Sequence, residues 1–535
     1  MRVYSSMALV VYVVALLHHN AQVGFVDLPA DGASALRRAV EIASLQALPW
    51  RGNSIGTHYW FGIADDYLLA PFLVGAGSLE SVLRRGALFF ALIAPLCFAI
   101  GAALRRPLLG LAFGLAIAGL PDVVALSSSY PLNYRTTHWA LLTVLGAVLA
   151  ASPMTDTKQR QAGTSLLLIG ASLASASHPF GAAALLPAFL ICGVTGVWPR
   201  GKLLKLSLAA SGLCLVPYVI ANAPGLWHSL FERGSDTRAG TSWVLAGGLD
   251  ALRNLSKALD GLAGGPSSGL LLLAGIPFSL RSTQGRAVFS LCLTWIVLAA
   301  AIFVLAGYPP KTWHLRPGLY LLLALGFIGW CAVLPTGAQL APWPATGHRT
   351  KLSKQALISA AGAVITLTFL LLQPPAIGTA ATAPVRGFSQ LSEAILDLAQ
   401  GREFQYLEGQ AHCPLNWSAE ATLLDLQLRS GDFRLGSDTK APVLAALQRI
   451  DSFERHPLAT AEHELQLSNG LFFRLHWNPY PQAFRDQLRK YCPAQAEGAR
   501  NEPFFLGGPG LGDLDNPCFA EGVCNPTLLM TGTEP

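Results

Sequence analysis

Charged side chains are scarce in this 535-residue chain: Asp, Glu, Lys and Arg make up 13% of the residues, while 52% are hydrophobic. Soluble domains carry about 25% charged residues, so the scarcity excludes a single large soluble enzyme. Apolar runs recur throughout the first 373 positions, and runs of about 15–20 residues are typical of helices that span a bilayer. The sequence therefore predicts an integral membrane protein embedded in a lipid bilayer.

Motifs for nucleotides and nucleic acids are also missing. The sequence has no glycine-rich nucleotide-binding fingerprint, no basic stripe and no zinc-finger spacing. Its net charge of +6 is scattered in small groups between the apolar runs, as expected of loop residues that follow the positive-inside rule. Nucleic acid is therefore excluded as a partner.

The apolar runs predict a mainly α fold, a polytopic transmembrane helical bundle of about eleven spans. The first run follows one positive charge, and no small-x-small cleavage site comes after it, so an uncleaved span is favoured over a signal peptide. The other predicted spans are residues 85–104, 107–124, 137–152, 163–178, 179–197, 204–222, 268–281, 287–306, 316–334 and 355–373. Around SHPFG, residues 163–197 are alternatively a broken pair.

Basic residues set the predicted orientation. With the N-terminus in the cytoplasm, the short loops that carry at least two basic residues all fall on the cytoplasmic side: Arg105–Arg106, Lys158–Arg160, Arg200–Lys205, Arg281–Arg286 and Arg349–Lys354. The opposite side receives the long segments, which are residues 20–83, 223–267 and 374–535. Compact loops and helices rich in alanine and leucine favour a bacterial inner membrane, so this outer side is the periplasm.

The chain divides into a membrane region, residues 1–373, and a small mixed α/β extracytoplasmic domain, residues 374–535. In the second part, a helix is predicted from Ser418 to near Gly431, a further helix over APVLAALQRI, and a strand over GLFFRLHW. This part contains Cys413, Cys492, Cys518 and Cys524. In an exported domain they predict two disulfides with three open pairings; metal binding or free thiols are the alternatives.

The first long loop, residues 20–83, concentrates acidic and aromatic side chains. Asp31 precedes an amphipathic stretch that predicts a helix lying on the membrane surface. The segment GTHYWFGIADDYLLAPF places Asp65 and Asp66 among five aromatic residues. YLLAPFLVGAGSLESVL then predicts one interfacial or re-entrant segment, since an internal proline and glycines make it a poor full span.

These residues resemble the polytopic GT-C glycosyltransferases of the protein mannosyltransferase and aminoarabinose transferase type. The resemblance rests on an aspartate after the first span, a helix, the pattern Y-x-x-x-A-P-x-x-x-x-G in YLLAPFLVGAG, and arginine at the second span. It extends more loosely to about residue 335, where YPPKTWHLRPGLYLLLAL looks like the family's late outer loop. The chain has Asp31–Gly32 where the commoner family pattern is Asp-Glu.

The resemblance implies transfer of a sugar from a polyprenyl phosphate-linked donor to a glycan, lipid or protein acceptor at the outer face. A carboxylate can act as general base on an acceptor hydroxyl, and cationic side chains suit the departing phosphate. The candidate bases are Asp31, Asp65 and Asp66, with Asp27 in reserve. The candidate phosphate partners are Arg84, Arg85, Lys311, His314 and Arg316. The candidate sugar contacts are His58, Tyr59, Trp60 and Tyr67.

No cofactor is required by these features, although the adjacent aspartates could hold Mg²⁺ or Mn²⁺. Structural roles compete with the functional ones: the aspartates could simply start helices, and the arginines and aromatic residues could anchor the chain at the interface. His178 is interpreted as a helix-end residue rather than a ligand. The alternative functions are a transporter or flippase, or an inactive scaffold whose tail binds a partner.

Overall fold

The computed structural model describes residues 2–23, 28, 30–52, 54–55, 59–60, 62–119, 131–227, 272–305, 312–334, 385–410, 419–433, 435, 443–448, 463–467 and 472–478. Its helices are α1 (Arg2–Gln22), α2 (Ala30–Ala43), α3 (Ala64–Leu73), α4 (Leu79–Phe90), α5 (Ile93–Ala103), α6 (Pro107–Gly119), α7 (Pro131–Ala150), α8 (Thr157–Ser177), α9 (Pro179–Ala182), α10 (Leu185–Thr195), α11 (Gly201–Trp227), α12 (Ile276–Ser279), α13 (Thr283–Leu305), α14 (Thr312–Val333), α15 (Val385–Ala399) and α16 (Ala419–Ser430). Its strands are β1 (Ser54–Ile55), β2 (Tyr59–Trp60), β3 (Gln405–Gln410), β4 (Val443–Gln448), β5 (His463–Gln466) and β6 (Phe472–Asn478). The protein is mostly helical, as its apolar runs predict.

Several of these helices are apolar along their length. In the described residues, three stretches are long and apolar enough to cross a bilayer: Leu79–Ala103, Lys202–Pro224 and Thr283–Ala301. Shorter apolar helices lie at Pro107–Ala118, Thr136–Ala150, Phe180–Thr195 and Pro317–Val333. This pattern is that of an integral membrane protein. The number of spans stays a prediction, because the predicted span at 355–373 lies outside the described residues.

Of the predicted span at residues 268–281, the structure describes residues 272–281, and these do not form one continuous helix. This part contains the four-residue helix α12, with turns before and after it. Pro277 lies in the first turn of α12, where proline is tolerated, whereas it disrupts the interior of a longer helix. The backbone instead packs closely on α14, since a Cβ at Gly275 would lie 2.0 Å from the Gly326 carbonyl oxygen.

The break at SHPFG is confirmed. α8 ends at Ser177, and His178 adopts an extended conformation with φ −160° and ψ 149°. The residue before a proline is disfavoured in the helical region, and α9 begins directly afterwards at Pro179. The His178 Nδ1 atom accepts a hydrogen bond from the Phe180 N–H at 3.1 Å, so this histidine caps the start of α9.

Glycine allows α7 and α8 to pack backbone against backbone. A Cβ at Gly146 would lie 2.3 Å from the Leu167 nitrogen, and one at Gly163 would lie 2.7 Å from the Ala150 nitrogen. Small residues are typical of such crossings between membrane helices, where close van der Waals contact drives association.

Replacing Gly146 by alanine should force α7 and α8 apart and lower the free energy of unfolding by about 1–3 kcal/mol. Thermal unfolding of the detergent-solubilised protein measures the change as a fall in Tm. Gly193→Ala in α10 is the matched control, because no described atom lies within 4 Å of its Cβ position. Equal stability of the two variants would contradict the close crossing.

The first long loop contains α2, a short antiparallel hairpin of β1 and β2, α3 and the start of α4. The predicted helix after Asp31 is confirmed as α2, and its position on the membrane surface stays a prediction. Its apolar stripe, including Leu36 and Val40, is buried against α3 and α16. An amphipathic stripe fits protein or lipid equally well, and here α16, far along the chain, covers it.

The predicted interfacial or re-entrant segment YLLAPFLVGAGSLESVL consists of two helices joined by a turn. α3 ends at Leu73, and Gly75 has a φ of +73°, in the left-handed region that favours glycine. Ser78 then caps α4, its side-chain oxygen accepting a hydrogen bond from the Ser81 N–H at 3.2 Å. The turn and cap redirect the chain into the apolar stretch that begins at Leu79.

The C-terminal part of the described chain combines α15 and α16 with a four-stranded sheet of order β3-β4-β6-β5. β3 and β4 are parallel, and the remaining neighbours are antiparallel. The predicted helix from Ser418 and the predicted strand over GLFFRLHW are confirmed as α16 and β6. The helix predicted over APVLAALQRI is wrong, because Val443–Gln448 forms β4, paired on both sides by β3 and β6.

One hydrophobic core joins this C-terminal part to the first long loop. Phe388 of α15 and Leu424 of α16 are buried together with Leu36 of α2 and Leu83 of α4. α15, α16 and the first long loop therefore lie on the same side of the apolar helices. The four cysteines predicted to form disulfides and the predicted boundary at residue 374 lie outside the described residues.

Candidate functional site

Asp65 and Asp66, called the acidic pair below, lie in the first turn of α3. Both are buried, with 3% and 1% of their surface exposed. Acidic residues are favourable at a helix N-terminus, so the helix-start interpretation holds for their position. Carboxylates buried to this extent are nevertheless rare unless they are paired or hydrogen-bonded. Each of the two has a partner from a different helix.

The partner of Asp65 is an indole. Trp139 Nε1 in α7 donates a hydrogen bond to Asp65 Oδ1 at 2.6 Å. The Trp139 ring meets Phe89 edge-on, with ring centroids 6.0 Å apart, and Phe89 stacks on His138 with centroids 5.5 Å apart. The Asp65 carboxylate therefore faces a neutral donor held in place by aromatic side chains of α4 and α7.

The partner of Asp66 is a cation. Arg38 Nε in α2 donates to Asp66 Oδ2 at 3.1 Å, and the side-chain exposures of this ion pair are 13% and 1%. Arg38 Nη1 also lies 3.4 Å from Ser34 Oγ. The ion pair fastens α2 to α3 and offsets the charge of one of the two aspartates.

A second ion pair on α2 completes the local charge pattern. Arg37 and Glu41, one helical turn apart, approach to 3.5 Å. Burial raises the pKa of the Glu41 carboxyl, while the two neighbouring arginines act in the opposite direction. The arginines at positions 37 and 38 contribute two positive charges against three negative ones from Glu41 and the acidic pair. The formal charges of these five side chains sum to −1, and Trp139 is a neutral donor to Asp65.

The chain that enters α3 is fixed to two apolar helices. Asn222 of α11 accepts from the Trp60 N–H at 2.8 Å and donates to the Trp60 carbonyl oxygen at 3.0 Å. The Gly62 N–H donates to the Ala176 carbonyl oxygen at 2.7 Å. A Cβ at Gly62 would lie 2.0 Å from that oxygen, so only glycine fits. These contacts position the acidic pair beside the break between α8 and α9.

The two arginines predicted as phosphate partners bind groups of the protein itself. Arg84 Nε and Nη2 donate to Glu80 Oε1 at 2.9 and 2.6 Å. Arg85 Nη1 donates to the Val74 carbonyl oxygen. In the described part of the chain, these bonds hold both guanidiniums along α4 and its preceding turn, and neither forms an ion pair with Asp65 or Asp66.

Two of the predicted sugar contacts can be placed. Trp60 is half-buried, with the Arg51 Cζ atom 3.7 Å from its ring centroid. Tyr67 is exposed, and its hydroxyl donates to the Pro49 carbonyl oxygen at 3.0 Å.

The remaining predicted site residues stay predictions. The backbones of Asp31, Tyr59, His314 and Arg316 lie in α2, β2 and α14, and their side chains are not described. His58, Lys311 and Asp27 lie outside the described residues. In the ranges the structure covers, no group of three or more His, Cys, Asp or Glu side chains could hold a metal ion.

The partners of the acidic pair are what sequence analysis misses. Arg38 is visible in the sequence only as a polar residue of an amphipathic helix, and Trp139 and Asn222 lie within apolar runs. Trp139 is 74 positions from Asp65, and no local pattern links the two. A polar side chain inside an apolar run is the one available signal, because such residues need a partner there.

No protein-family model matches the chain, and no match is found among the curated proteins. The structure is similar to the crystal structure of ArnT from Cupriavidus metallidurans in the apo state, with a TM-score of 0.51 and 13% identity, over 88% of this chain and 98% of that one. The crystal structure of the same ArnT bound to undecaprenyl phosphate gives a TM-score of 0.48 and 14% identity, over 88% of this chain and 97% of that one. At this identity the comparison with the apo structure shows a shared fold alone: the chain has an ArnT-like fold.

Proposed function

We propose that the protein is a GT-C type membrane glycosyltransferase. It transfers a sugar from a polyprenyl phosphate-linked donor to a glycan, lipid or protein acceptor on the outer face of a bacterial inner membrane. The observation that carries this proposal is the buried acidic pair, which lies after the first apolar helix of a fold shared with ArnT. The lipid seen with ArnT belongs to that protein, and its use as a carrier here is part of the proposal.

The chemistry needs a carboxylate that can take a proton from an acceptor hydroxyl. Asp66 is the weaker candidate, because one of its carboxylate oxygens is already bound by the Arg38 guanidinium. Asp65 faces the neutral Trp139 N–H and is the stronger candidate within the pair. With a single base, the reaction passes through an oxocarbenium-like transition state and inverts the sugar carbon.

Asp31 is the third candidate base. Position 31 falls on the same side of α2 as positions 34 and 38, because residues three, four and seven apart share a helix face. In this proposal Asp31 therefore shares the stripe of α2 that includes Arg38. Asp31 and Asp65 are thus assigned to the base function, and Asp66 to positioning through Arg38.

The departing phosphate needs cations, and the candidates in the predicted late outer loop are Lys311, His314 and Arg316, the last two in the first turns of α14. Arg84 and Arg85 would have to leave their present partners to reach it. The late loop is therefore assigned the larger share of phosphate binding.

The test is a transfer assay with the purified full chain in lipid nanodiscs. A panel of undecaprenyl phosphate-linked sugars is mixed with envelope acceptors, and the undecaprenyl phosphate released is measured. Replacing the true base by asparagine should lower the rate by roughly 100-fold or more, so Asp31→Asn and Asp65→Asn are compared. Asp156→Asn is the control, because Asp156 is an exposed helix cap elsewhere in the chain.

The proposal fails if the wild-type protein releases no undecaprenyl phosphate with any donor. It also fails if both variants turn over at the wild-type rate. A scaffold without transfer chemistry is the second candidate function, favoured by the fact that Asp65 and Asp66 both bond to side chains of other helices. A wild-type protein that is stable, folded and inactive with every donor would support it.

A further inference from the structure

Arg51, at the end of the loop after α2, is held by aromatic faces. Its Cζ atom lies 3.7 Å from the Trp60 ring centroid and 5.4 Å from the Trp50 ring centroid. A guanidinium over an indole face is attracted by the ring quadrupole and loses side-chain freedom. Two indoles therefore contact this exposed guanidinium.

Among the described residues, no acceptor meets the edge of the Arg51 guanidinium. In the part of the chain that the structure describes, its contacts are those with the two indoles, and no acceptor receives a hydrogen bond or ion pair from it. The contrast is Arg402, whose guanidinium lies 4.1 Å from the Trp477 centroid. Arg402 donates to the carbonyl oxygens of Ala399 and Leu398 at 3.1 and 2.9 Å.

The surface around Arg51 suits a membrane interface. Leu45, Leu48 and Trp50 precede it and are 83%, 71% and 52% exposed. Exposed leucines beside a tryptophan and an arginine are typical of the headgroup level of a bilayer, where the indole has one apolar and one wet side. The carbonyl oxygen of Pro49 is fixed to the Tyr67 hydroxyl at 3.0 Å, which ties this segment to α3.

Trp60, whose ring contacts Arg51, is bonded to α11 and precedes the acidic pair in the chain. Trp60 is bonded at both its N–H and its carbonyl oxygen to Asn222. From Trp60 the chain runs directly into α3, whose first turn carries Asp65. A group bound at the edge of Arg51 would be held by the same loop that positions the candidate base.

We propose that Arg51, fixed between Trp50 and Trp60, binds the phosphate of a polyprenyl phosphate lipid at the outer leaflet. The planar N–H fork of arginine matches two phosphate oxygens, and the exposed leucines take the adjoining lipid chain. This inference rests on the proposed function for the identity of the lipid. The phosphate chemistry is shared with anionic phospholipid headgroups, so the experiment separates the two sources.

Native mass spectrometry of the full chain in detergent measures binding of undecaprenyl phosphate, of undecaprenol without the phosphate, and of phosphatidylglycerol. Arg51→Ala should weaken undecaprenyl phosphate binding by about tenfold or more. The affinity of Arg51→Lys for undecaprenyl phosphate should lie between those of the wild type and Arg51→Ala, because lysine keeps the charge and loses the planar fork. Undecaprenol binding should not change, and Arg402→Ala should bind all three lipids like the wild type.

Wild-type affinity of Arg51→Ala for undecaprenyl phosphate would overturn the inference, as would an equal loss of undecaprenol binding. An equal loss of phosphatidylglycerol binding would identify a phospholipid headgroup as the occupant and overturn the assignment to the polyprenyl lipid. The two proposals fail separately. Lipid binding through Arg51 without sugar transfer removes only the transferase function, and transfer with unchanged lipid binding by Arg51→Ala removes only this inference.

Discussion

Replacing Arg38 by methionine is expected to lower the free energy of unfolding by about 3–5 kcal/mol. The loss comes from the carboxyl of Asp66, which is 1% exposed at the side chain and would lose the cation that now donates to it. Methionine retains the length of the arginine stem, so lost packing contributes little. Thermal unfolding in detergent should show a fall in Tm of several degrees.

The control is Arg84→Met, which removes the i,i+4 ion pair between Arg84 and Glu80 on the surface of α4. Arg84 and Glu80 are 50% and 35% exposed at their side chains, and such pairs contribute about 0.3–0.5 kcal/mol. If Arg38→Met and Arg84→Met lower the Tm equally, the Arg38–Asp66 pair does not hold α2 against α3.

The double variant Arg38→Met/Asp66→Leu separates structure from chemistry. Replacing a buried ion pair by apolar residues of similar volume is often neutral or stabilising, so the Tm should return close to that of the wild type. If Asp66 serves only to position α2 and α3, sugar transfer also returns. Recovery of the Tm without transfer would instead assign Asp66 to the reaction, contrary to the roles given above.

The sequence predicts features that are encoded locally. Apolar runs give the membrane helices, a proline gives the break at SHPFG, and the amphipathic pattern gives α2. The strand β4 is predicted as a helix because Val-Leu-Ala-Ala-Leu has a composition that also suits a helix. Its conformation is decided by pairing with β3 and β6, which lie elsewhere in the chain, and a sequence window contains none of that pairing.

The sequence predicts the acidic residues of the candidate site but not their partners. Two adjacent aspartates in an apolar, aromatic stretch are visible in the sequence, because charge is rare around them. Their partners are set by the packing of α2 and α7 against α3, which the sequence does not reveal. The packing of α16 on α2 cannot be predicted from the sequence either, because it is also a tertiary contact. Local chemistry can be predicted here, whereas the contacts that give it a role depend on tertiary structure.

Asp425 makes one such tertiary contact. Replacing Asp425 by alanine should weaken the packing of the C-terminal part against the first long loop. Asp425 is fully buried in α16, and its Oδ1 accepts a hydrogen bond from the Leu79 N–H, at the start of α4, at 2.6 Å. Its Oδ2 accepts from Arg429 Nε at 2.7 Å, and Arg429 Nη1 reaches Glu393 at 2.8 Å. One carboxylate therefore satisfies a first-turn N–H of α4, which has no partner within its own helix, and anchors a charge network of the C-terminal part.

The alanine variant leaves the Leu79 N–H and the Arg429 guanidinium without this acceptor, which should cost about 1–3 kcal/mol, with the charged donor toward the upper end. Asp425→Asn should cost less, because its amide oxygen still accepts from Leu79 while the charge that favours the N-terminus of α4 is lost. Hydrogen exchange at the first turn of α4 measures the local effect. The exchange should be fastest in Asp425→Ala and intermediate in Asp425→Asn. It should be unchanged in the control Asp397→Ala, which alters an exposed aspartate of α15. Unchanged exchange in Asp425→Ala would mean that apolar packing alone attaches α16 to the loop. Faster exchange confined to α4 and α16 would instead establish that the C-terminal part sets the start of the helix that follows the acidic pair.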